Sequence, residues 1–333
     1  LLAGHLEVPV TALAWGVLAA GFAQLLIQVP ALMRLGLMPR PRWGWRHSGV
    51  RRIIKLMIPT LFGSSVAQVN LLIDSIIATF LVTGSVSWLY YSDRLLEFPL
   101  GVLGIALATV ILPNLSQKHA KASIAEFSAT IDWALRLAVI ITLPAAVGLI
   151  ILSVPILMTL FQYDAFQLDD VRMSSYSLIA YAAGLPAFIA VKVLAPGYYA
   201  RQDTKTPVKI AIAAMVTNMG LNLIFVGLLL LQGFEGPHAG LALASSAAAY
   251  LNAGLLFRGL RKREVYTPER GWFRVWVAVI LACTAMGSIL YFMTHNIESW
   301  HQATVYLRIK NLSLSIIFGV IIYIFASMVM GLK

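Results

Sequence analysis

Nine runs of predominantly apolar residues, most of them 20 residues or longer, divide this chain of 333 residues and constrain its fold more than any other feature. An α-helix needs about 20 apolar residues to cross roughly 30 Å of hydrocarbon, where every backbone polar group must be satisfied internally. Because 59% of the residues are hydrophobic and only 12% are charged, we predict an all-α integral membrane protein, a polytopic helical bundle. Its nine predicted transmembrane helices have the approximate bounds Pro9–Met33, Ile53–Val82, Val86–Leu115, Ile131–Phe161, Met173–Tyr199, Val208–Leu231, Ala239–Phe257, Trp272–Thr294 and Leu312–Leu332.

The net charge of +11 is distributed unevenly among the connections between these segments. Alternate connections, at 34–55, 118–121, 201–209 and 258–274, hold with Lys333 nineteen of the 25 lysines and arginines. Basic residues accumulate on the cytoplasmic side of membrane proteins, so these connections and the C-terminus are predicted to be cytoplasmic. Arg308 and Lys310 are assigned to a connection on the opposite side. Most of the positive charge then sets the orientation of the chain in the membrane and contacts membrane lipids. We therefore expect no nucleic-acid partner.

Residues suited to enzyme chemistry are sparse. The six histidines lie outside the segment centres and lack metal-ligand spacing such as HExxH, and the sequence has no P-loop or GxSxG motif. The single cysteine, Cys283, excludes an internal disulfide framework. The sequence therefore favours a transporter with no cofactor beyond a coupling ion. An intramembrane enzyme that uses Asp93, Arg94 and Glu97 is the alternative, although no paired nucleophile or metal-ligand set accompanies these residues.

The third apolar segment carries three charged residues, Asp93, Arg94 and Glu97, on one arc of the predicted helix. An ionised side chain in hydrocarbon costs roughly 2.5–3.5 kcal/mol at mid-helix, so it must be paired or line a wet cavity. Two interpretations stand: an intrahelical Arg94–Glu97 pair beside a close helix contact, or a water-filled cavity where Arg94 binds a phosphate or carboxylate while the two acids orient it. Tyr90, Gly101, Gly104 and Ala108 are predicted to lie on the same arc, so that one face of the helix is charged in its outer half and nearly free of side chains below.

A second polar group is spread over three segments. Asp74, with Asn70 one turn earlier, lies in the second segment, and a further set of polar residues lies in the sixth and seventh segments: Asn218, Asn222, Ser245 and Ser246. Each alone is typical of hydrogen bonding between helices. Together these residues supply one carboxylate and several neutral oxygens, which form a hypothetical site for Na⁺ or surround an Asp74 that takes up a proton.

Two longer motifs carry a family resemblance. The sequence YYSDRLLEFP at 90–99, followed by GVLG at 101–104 and LP at 112–113, resembles the eighth helix of the MurJ (MviN) lipid II flippases of the MOP exporter superfamily. The sequence KVLAPGYYARQDTKTPVK at 192–209 is similar to the most specific signature of that family. Both motifs occur in the family's order and with its helix spacing.

The resemblance implies an architecture of fourteen helices, with two six-helix lobes and two extra C-terminal helices. Residues 1–52 would hold the last helix of the first lobe and a basic cytoplasmic linker, and 53–258 the second six-helix lobe. Residues 259–333 would form a cytoplasmic loop and two helices lining a lipid-tail groove. The chain would match roughly helices 6 to 14. Since it lacks an initial Met and enters its first apolar run within ten residues, we expect it to be N-terminally truncated.

The resemblance also implies a function in the bacterial inner membrane. Lipid II, the undecaprenyl-diphosphate-linked peptidoglycan precursor, would move from the cytoplasmic to the periplasmic leaflet by alternating access, for cell-wall synthesis. Arg94 would grip the diphosphate, with Glu97 and Asp93 on the same helix. The resemblance also implies an ion site for Na⁺ formed by Asp74, Asn218, Asn222 and Ser245, although Asn222 stands where an aspartate can occur. The alternatives are a cation-coupled small-molecule exporter of the same superfamily and a non-transporting scaffold for cell-wall synthesis proteins.

Overall fold

A computed structural model describes residues 11–36, 47–121 and 123–331, and every regular element in these ranges is helical. The long helices confirm the predicted all-α fold. In chain order the elements are α1 (Thr11–Arg34), α2 (Ser48–Thr79), α3 (Ser85–Pro99), a π-helical segment (Leu100–Ile105), α4 (Ala106–Ala120), α5 (Ile124–Ile151), α6 (Ser153–Phe161), α7 (Leu168–Tyr199), α8 (Lys205–Leu231), α9 (Ala239–Lys262), α10 (Trp272–Thr294), α11 (Ile297–Gln302) and α12 (Val305–Val329).

Eight helices within the described residues are long and apolar enough to cross a membrane, against nine predicted. The second predicted segment lies largely within α2, a continuous helix of 32 residues that includes the apolar stretch Gln68–Thr79. The third predicted segment is one continuous helix from Ser85 to Ala120. The fourth is interrupted at Leu152, between α5 and α6.

The chain divides into two compact units, Leu1–Ile54 and Lys55–Lys333. In the second unit α7 is the central helix, packing against α3, α5 and α9. Its buried face includes Leu185, Ile189 and Val193. Half of its most apolar stretch is buried. A helix that is hydrophobic on all sides is expected to lie inside a bundle in this way. The last two long helices, α10 and α12, pack against each other, and α10 also packs against α5.

The helix that carries the charged arc changes its winding directly after Pro99. Proline lacks the backbone N–H and its ring clashes with the carbonyl four residues earlier, and the π-helical segment begins at the next residue. Because a π-helix rotates by a smaller angle per residue than an α-helix, the residues after Pro99 move out of the arc expected for a regular α-helix. Gly104 faces α7, where a Cβ would lie 3.5 Å from the Lys192 Cγ, whereas Gly101 borders open space. Gly101 therefore remains compatible with the open charged face, whereas the prediction that Gly104 continues this face is wrong.

The beginning of α12 differs from the predicted topology. The helix starts at Val305, so Arg308 and Lys310 lie in its first turns rather than in a connection. Arg308 is buried, and its guanidinium donates to the backbone carbonyls of Trp300, His301 and Met158. The last carbonyls of a helix have no intrahelical partner, so this cation stabilises the ends of α6 and α11.

Asp132 joins α5 to the connection that precedes α10. Its carboxylate accepts from the Tyr266 hydroxyl and the Trp272 indole, each at 2.7 Å, and from the Arg136 Nε at 2.6 Å. Asp132 is only 1% exposed. A buried carboxylate with several donors is a structural anchor.

Candidate functional site

The buried face of α3 fixes its rotation about its own axis. The Trp88 indole donates to the Asp170 carboxylate at 2.7 Å, and the Ser92 hydroxyl donates to the Ser174 carbonyl at 2.7 Å. Leu96 continues this buried face two turns after Trp88. Because these residues face α7, the residues on the opposite side of α3 point away from the packed helices of the second unit.

Arg94 and Glu97 lie on that opposite side and form an ion pair one turn apart. The Arg94 guanidinium also stacks over the Tyr90 ring, with its carbon 4.9 Å from the ring centroid. Both charged side chains are 50% exposed. Asp93 is half-buried between the two faces of the helix. The structure thus brings the predicted Arg94, Glu97 and Asp93 onto adjacent positions, and Arg94 pairs with Glu97.

The position of this pair along the helix is unusual for exposed charges. Arg94 lies about 14 Å along the axis from Ser85, at 1.5 Å per residue, inside a helix that continues to Ala120. A charge at such a depth is expensive in lipid and is normally found facing a bundle interior or water. A guanidinium has five N–H donors, and a single carboxylate does not use them all. The arrangement is therefore able to accept an anion that approaches from the open side of α3.

The second predicted group comes together at the contact of α2, α8 and α9. The Asn222 amide donates to one Asp74 oxygen at 2.6 Å and to the Asn218 carbonyl oxygen at 3.0 Å. The Asn218 amide donates to the Ser245 hydroxyl at 3.1 Å, which donates to the other Asp74 oxygen at 3.2 Å. The four side chains close a ring of hydrogen bonds, although their segments are up to 171 positions apart in sequence.

This ring, which we call the Asp74 ring, is buried and rich in oxygen. Asp74 is 6% exposed, and Asn218 and Asn222 are 1% and 0% exposed. Asn70 joins from α2 by donating to Asp74 at 3.2 Å. The amide oxygens of Asn70 and Asn222 are buried without a hydrogen-bond partner among the described residues. Buried acceptors of this kind normally have partners, so the unsatisfied oxygens fit a cation bound beside Asp74.

Two assignments around the ring change in the structure. Asn70, which the sequence analysis places on the same face as Asp74 but not in the ion site, contacts the carboxylate directly. The sequence signal that places Asn70 at the ion site is its spacing of four residues from Asp74, which puts both side chains on one face of a helix. Ser246 is instead a helix-packing residue, because its hydroxyl donates to the Ala180 carbonyl at 2.7 Å.

Comparison with known proteins identifies the family of the chain. The family model described as "Lipid II flippase MurJ" matches residues 1–311. The chain belongs to the MurJ lipid II flippase family. The "Probable lipid II flippase MurJ" of Haemophilus influenzae is similar, being 46% identical over 339 residues, which cover 100% of this chain and 65% of the relative. The chain thus spans about two thirds of the length of this relative.

Two solved structures share the fold. "Lipid II flippase MurJ, inward closed conformation" matches with a TM-score of 0.68 at 24% identity, over 89% of this chain and 57% of the other. An outward-facing multidrug resistance MATE family transporter of the MOP superfamily matches with a TM-score of 0.51 at 16% identity, over 83% and 63% of the two chains. With the eight candidate spans, family membership makes the chain part of a multi-pass inner-membrane protein whose relatives are named as transporters.

Proposed function

We propose that the protein containing this chain is a lipid II flippase, which moves the undecaprenyl-diphosphate-linked precursor to the periplasmic leaflet by alternating access for cell-wall synthesis. The single observation that carries the proposal is a half-exposed Arg94–Glu97 pair deep in a transmembrane helix of a chain of the MurJ family. The charged face of α3 borders a water-filled cavity, since lipid would make such exposure costly.

Within that cavity Arg94 grips the diphosphate. A guanidinium is a planar fork that matches two phosphate oxygens, and charge-assisted hydrogen bonds are roughly twice as strong as neutral ones. Glu97 and Tyr90 hold the guanidinium in place before the lipid arrives, and Asp93 supports the same turn. The diphosphate replaces Glu97 as the partner of Arg94, so the pair is exchangeable rather than permanent.

The last two long helices carry the polyprenyl tail. The outward faces of α10 and α12 are strongly apolar, with Phe273, Phe292 and Phe325 exposed by 82%, 75% and 69%. A long hydrocarbon chain lies favourably on such a surface while the headgroup crosses in water. Residues 259–333 are therefore the tail-binding part in our proposal. The basic connections and the C-terminus are cytoplasmic by the positive-inside rule.

Lipid II binding by the purified full-length protein, followed by native mass spectrometry, tests the gripping residue. Arg94→Ala is expected to lose lipid II binding while keeping its unfolding temperature. Arg172→Ala is the matched control, because Arg172 also pairs with a glutamate, Glu235, and stacks over a tyrosine, Tyr176. It lies in the first turns of α7, outside the proposed cavity. Equal binding by the Arg94→Ala and wild-type proteins would contradict the proposal.

We also propose that Na⁺ is the coupling ion and binds at the Asp74 ring. The two Asp74 oxygens, the unsatisfied Asn222 and Asn70 oxygens and the Ser245 hydroxyl are the hard ligands that such a cation prefers. Asp74 is the single carboxylate of the ring, and its one negative charge balances the one positive charge of Na⁺. Na⁺-dependent transport that is unchanged in Asp74→Ala would remove this assignment.

Two other functions predict different results in the same experiments. A cation-coupled exporter of small molecules would need the Asp74 ring but would not lose transport when Arg94 is replaced. A scaffold for cell-wall synthesis proteins would support growth with Arg94→Ala at normal protein levels. The position of Arg94 favours the flippase over both.

A further inference from the structure

The family signature at 192–209 has a structural role that neither Arg94 nor the Asp74 ring explains. Its second half forms the turn between α7 and α8, where the Asp203 carboxylate pairs with Arg263 from the end of α9. The Thr206 backbone amide and hydroxyl also donate to Asp203, at 3.0 and 2.7 Å. The Arg263 guanidinium lies over the Tyr198 ring at 5.7 Å. The turn is thereby fixed against the neighbouring α9–α10 connection.

This fixed turn forms one wall of a cavity of about 250 Å³. The ends of α4, α7 and α9 and the connections after them meet there, and each supplies a cation: Lys118 from the last turn of α4, Arg201 and Arg263. The apolar part of the lining includes Ile124 and Phe127 from the first turn of α5. All three connections belong to the basic set that the sequence analysis assigns to one side of the membrane, so the cavity opens at that face.

The charges of the cavity are not balanced by its own acidic residues. Burial raises the pKa of Asp203, but hydrogen bonds from Thr206 and Arg263 outweigh it and hold that pKa below its ordinary value, so Asp203 stays ionised and neutralises Arg263. Lys118 donates to the Thr130 hydroxyl at 2.6 Å and to the Glu126 backbone carbonyl, both uncharged groups. Glu264 is the one carboxylate in the described lining, so one negative charge stands beside the two positive charges of Lys118 and Arg201.

We propose that this cavity binds a phosphate-bearing anion, with Lys118 and Arg201 as the residues that contact the phosphate and Arg263 as a positioning residue. Lysine and arginine from separate connections converge on a volume that a phosphate headgroup fills, and Ile124 and Phe127 offer an apolar edge beside it. The phosphate could belong to an anionic phospholipid of the surrounding leaflet or to a free phosphate ester. The site is separate from the substrate-gripping Arg94.

Native mass spectrometry of the purified full-length protein in a neutral detergent measures this binding with three probes: phosphatidylglycerol, glycerol 3-phosphate and inorganic phosphate. The test variant is Lys118→Gln/Arg201→Gln. The matched control is Lys209→Gln/Arg258→Gln, which removes two exposed charges from α8 and α9 that do not line the cavity. Arg263 is left intact because it holds the turn.

The test variant is expected to lose at least about tenfold in affinity, since each basic residue near an anionic headgroup contributes about 1 kcal/mol. The control should bind as the wild type does, and Glu264→Gln should bind more tightly because a repelling carboxylate is removed. If only phosphatidylglycerol binds, the ligand is a lipid headgroup. If all three probes bind, the site accepts a free phosphate. Equal losses in the test and control variants, or no loss in the test variant at an unchanged unfolding temperature, would overturn the proposal.

Discussion

The charged face of α3 and the Asp74 ring place carboxylates at membrane depth in opposite ways. Arg94 and Glu97 are half-exposed and pair within one helix, so their contact needs no other element. Asp74 is buried, and its oxygens are held by residues of two other helices, α8 and α9. The first arrangement can exchange its partner for a ligand without disturbing the fold. The second is part of the packing, so any ion that binds there is coupled to how the helices meet.

The contrast predicts which mutations affect stability and which affect binding. Exposed ion pairs contribute little to stability, because solvent screens them and the side chains lose entropy on pairing. Buried polar networks are costly to disrupt, because the remaining members lose partners they cannot replace with water. Function should therefore be sensitive at Arg94, and stability at Asp74.

The largest expected effect is on stability, at Asp74. Asp74→Ala removes the acceptor for Asn70, Asn222 and Ser245, and the loss of these three hydrogen bonds should lower the free energy of unfolding by about 3 kcal/mol. Thermal unfolding in detergent measures this change. Arg94→Ala is the control and should leave the unfolding temperature unchanged. If Arg94→Ala destabilises the protein as much as Asp74→Ala does, the contrast between the two regions is wrong.

Adding a second carboxylate to the ring should enlarge the stabilising effect of Na⁺. Asn222→Asp places two carboxylates together, so it should destabilise the protein in K⁺ buffer and restore stability in Na⁺ buffer. At a Na⁺ concentration 100 times its Kd, the restored stability is about 2.7 kcal/mol. Unfolding temperatures in matched K⁺ and Na⁺ buffers report the difference. The same temperature in both buffers would argue against a cation site.

A conservative change at Arg94 separates charge from shape. Arg94→Lys keeps the positive charge but loses the planar fork, so lipid II affinity should fall by about tenfold while lipid II binding remains measurable. Arg172→Lys, in the comparable pair on α7, should have no effect. Wild-type affinity in Arg94→Lys would show that only the charge is used.

The smallest expected effect is at the edge of the ring. Ser245 is partly exposed and contributes one donor to Asp74, so Ser245→Ala should cost about 0.6 kcal/mol, the average of hydrogen bonds between transmembrane helices. Chemical unfolding followed by tryptophan fluorescence has the precision to detect it. A loss comparable to that of Asp74→Ala would place Ser245 at the centre of the ring instead.

Part of the candidate site could be predicted from the sequence because it is local. Arg94 and Glu97 are one helical turn apart, and helical periodicity alone places them side by side. The continuation of that face through Gly104 could not be predicted, because the π-helical segment after Pro99 changes the phase that the helical wheel assumes. Arg308 was misplaced for a related reason, since a charged residue can begin a helix when the ends of other helices supply its partners.

The sequence by itself determined that the chain is a bundle of membrane-spanning helices and which residue types could carry chemistry, because hydrophobic length and helical spacing are local properties. Only the tertiary structure decided that Asp74 meets Asn222 and Ser245, that Asn70 joins them, and that Lys118, Arg201 and Arg263 line one cavity. These contacts join residues far apart in the chain. Their formation depends on how α7 packs the other helices around itself, and spacing along the sequence does not encode that packing.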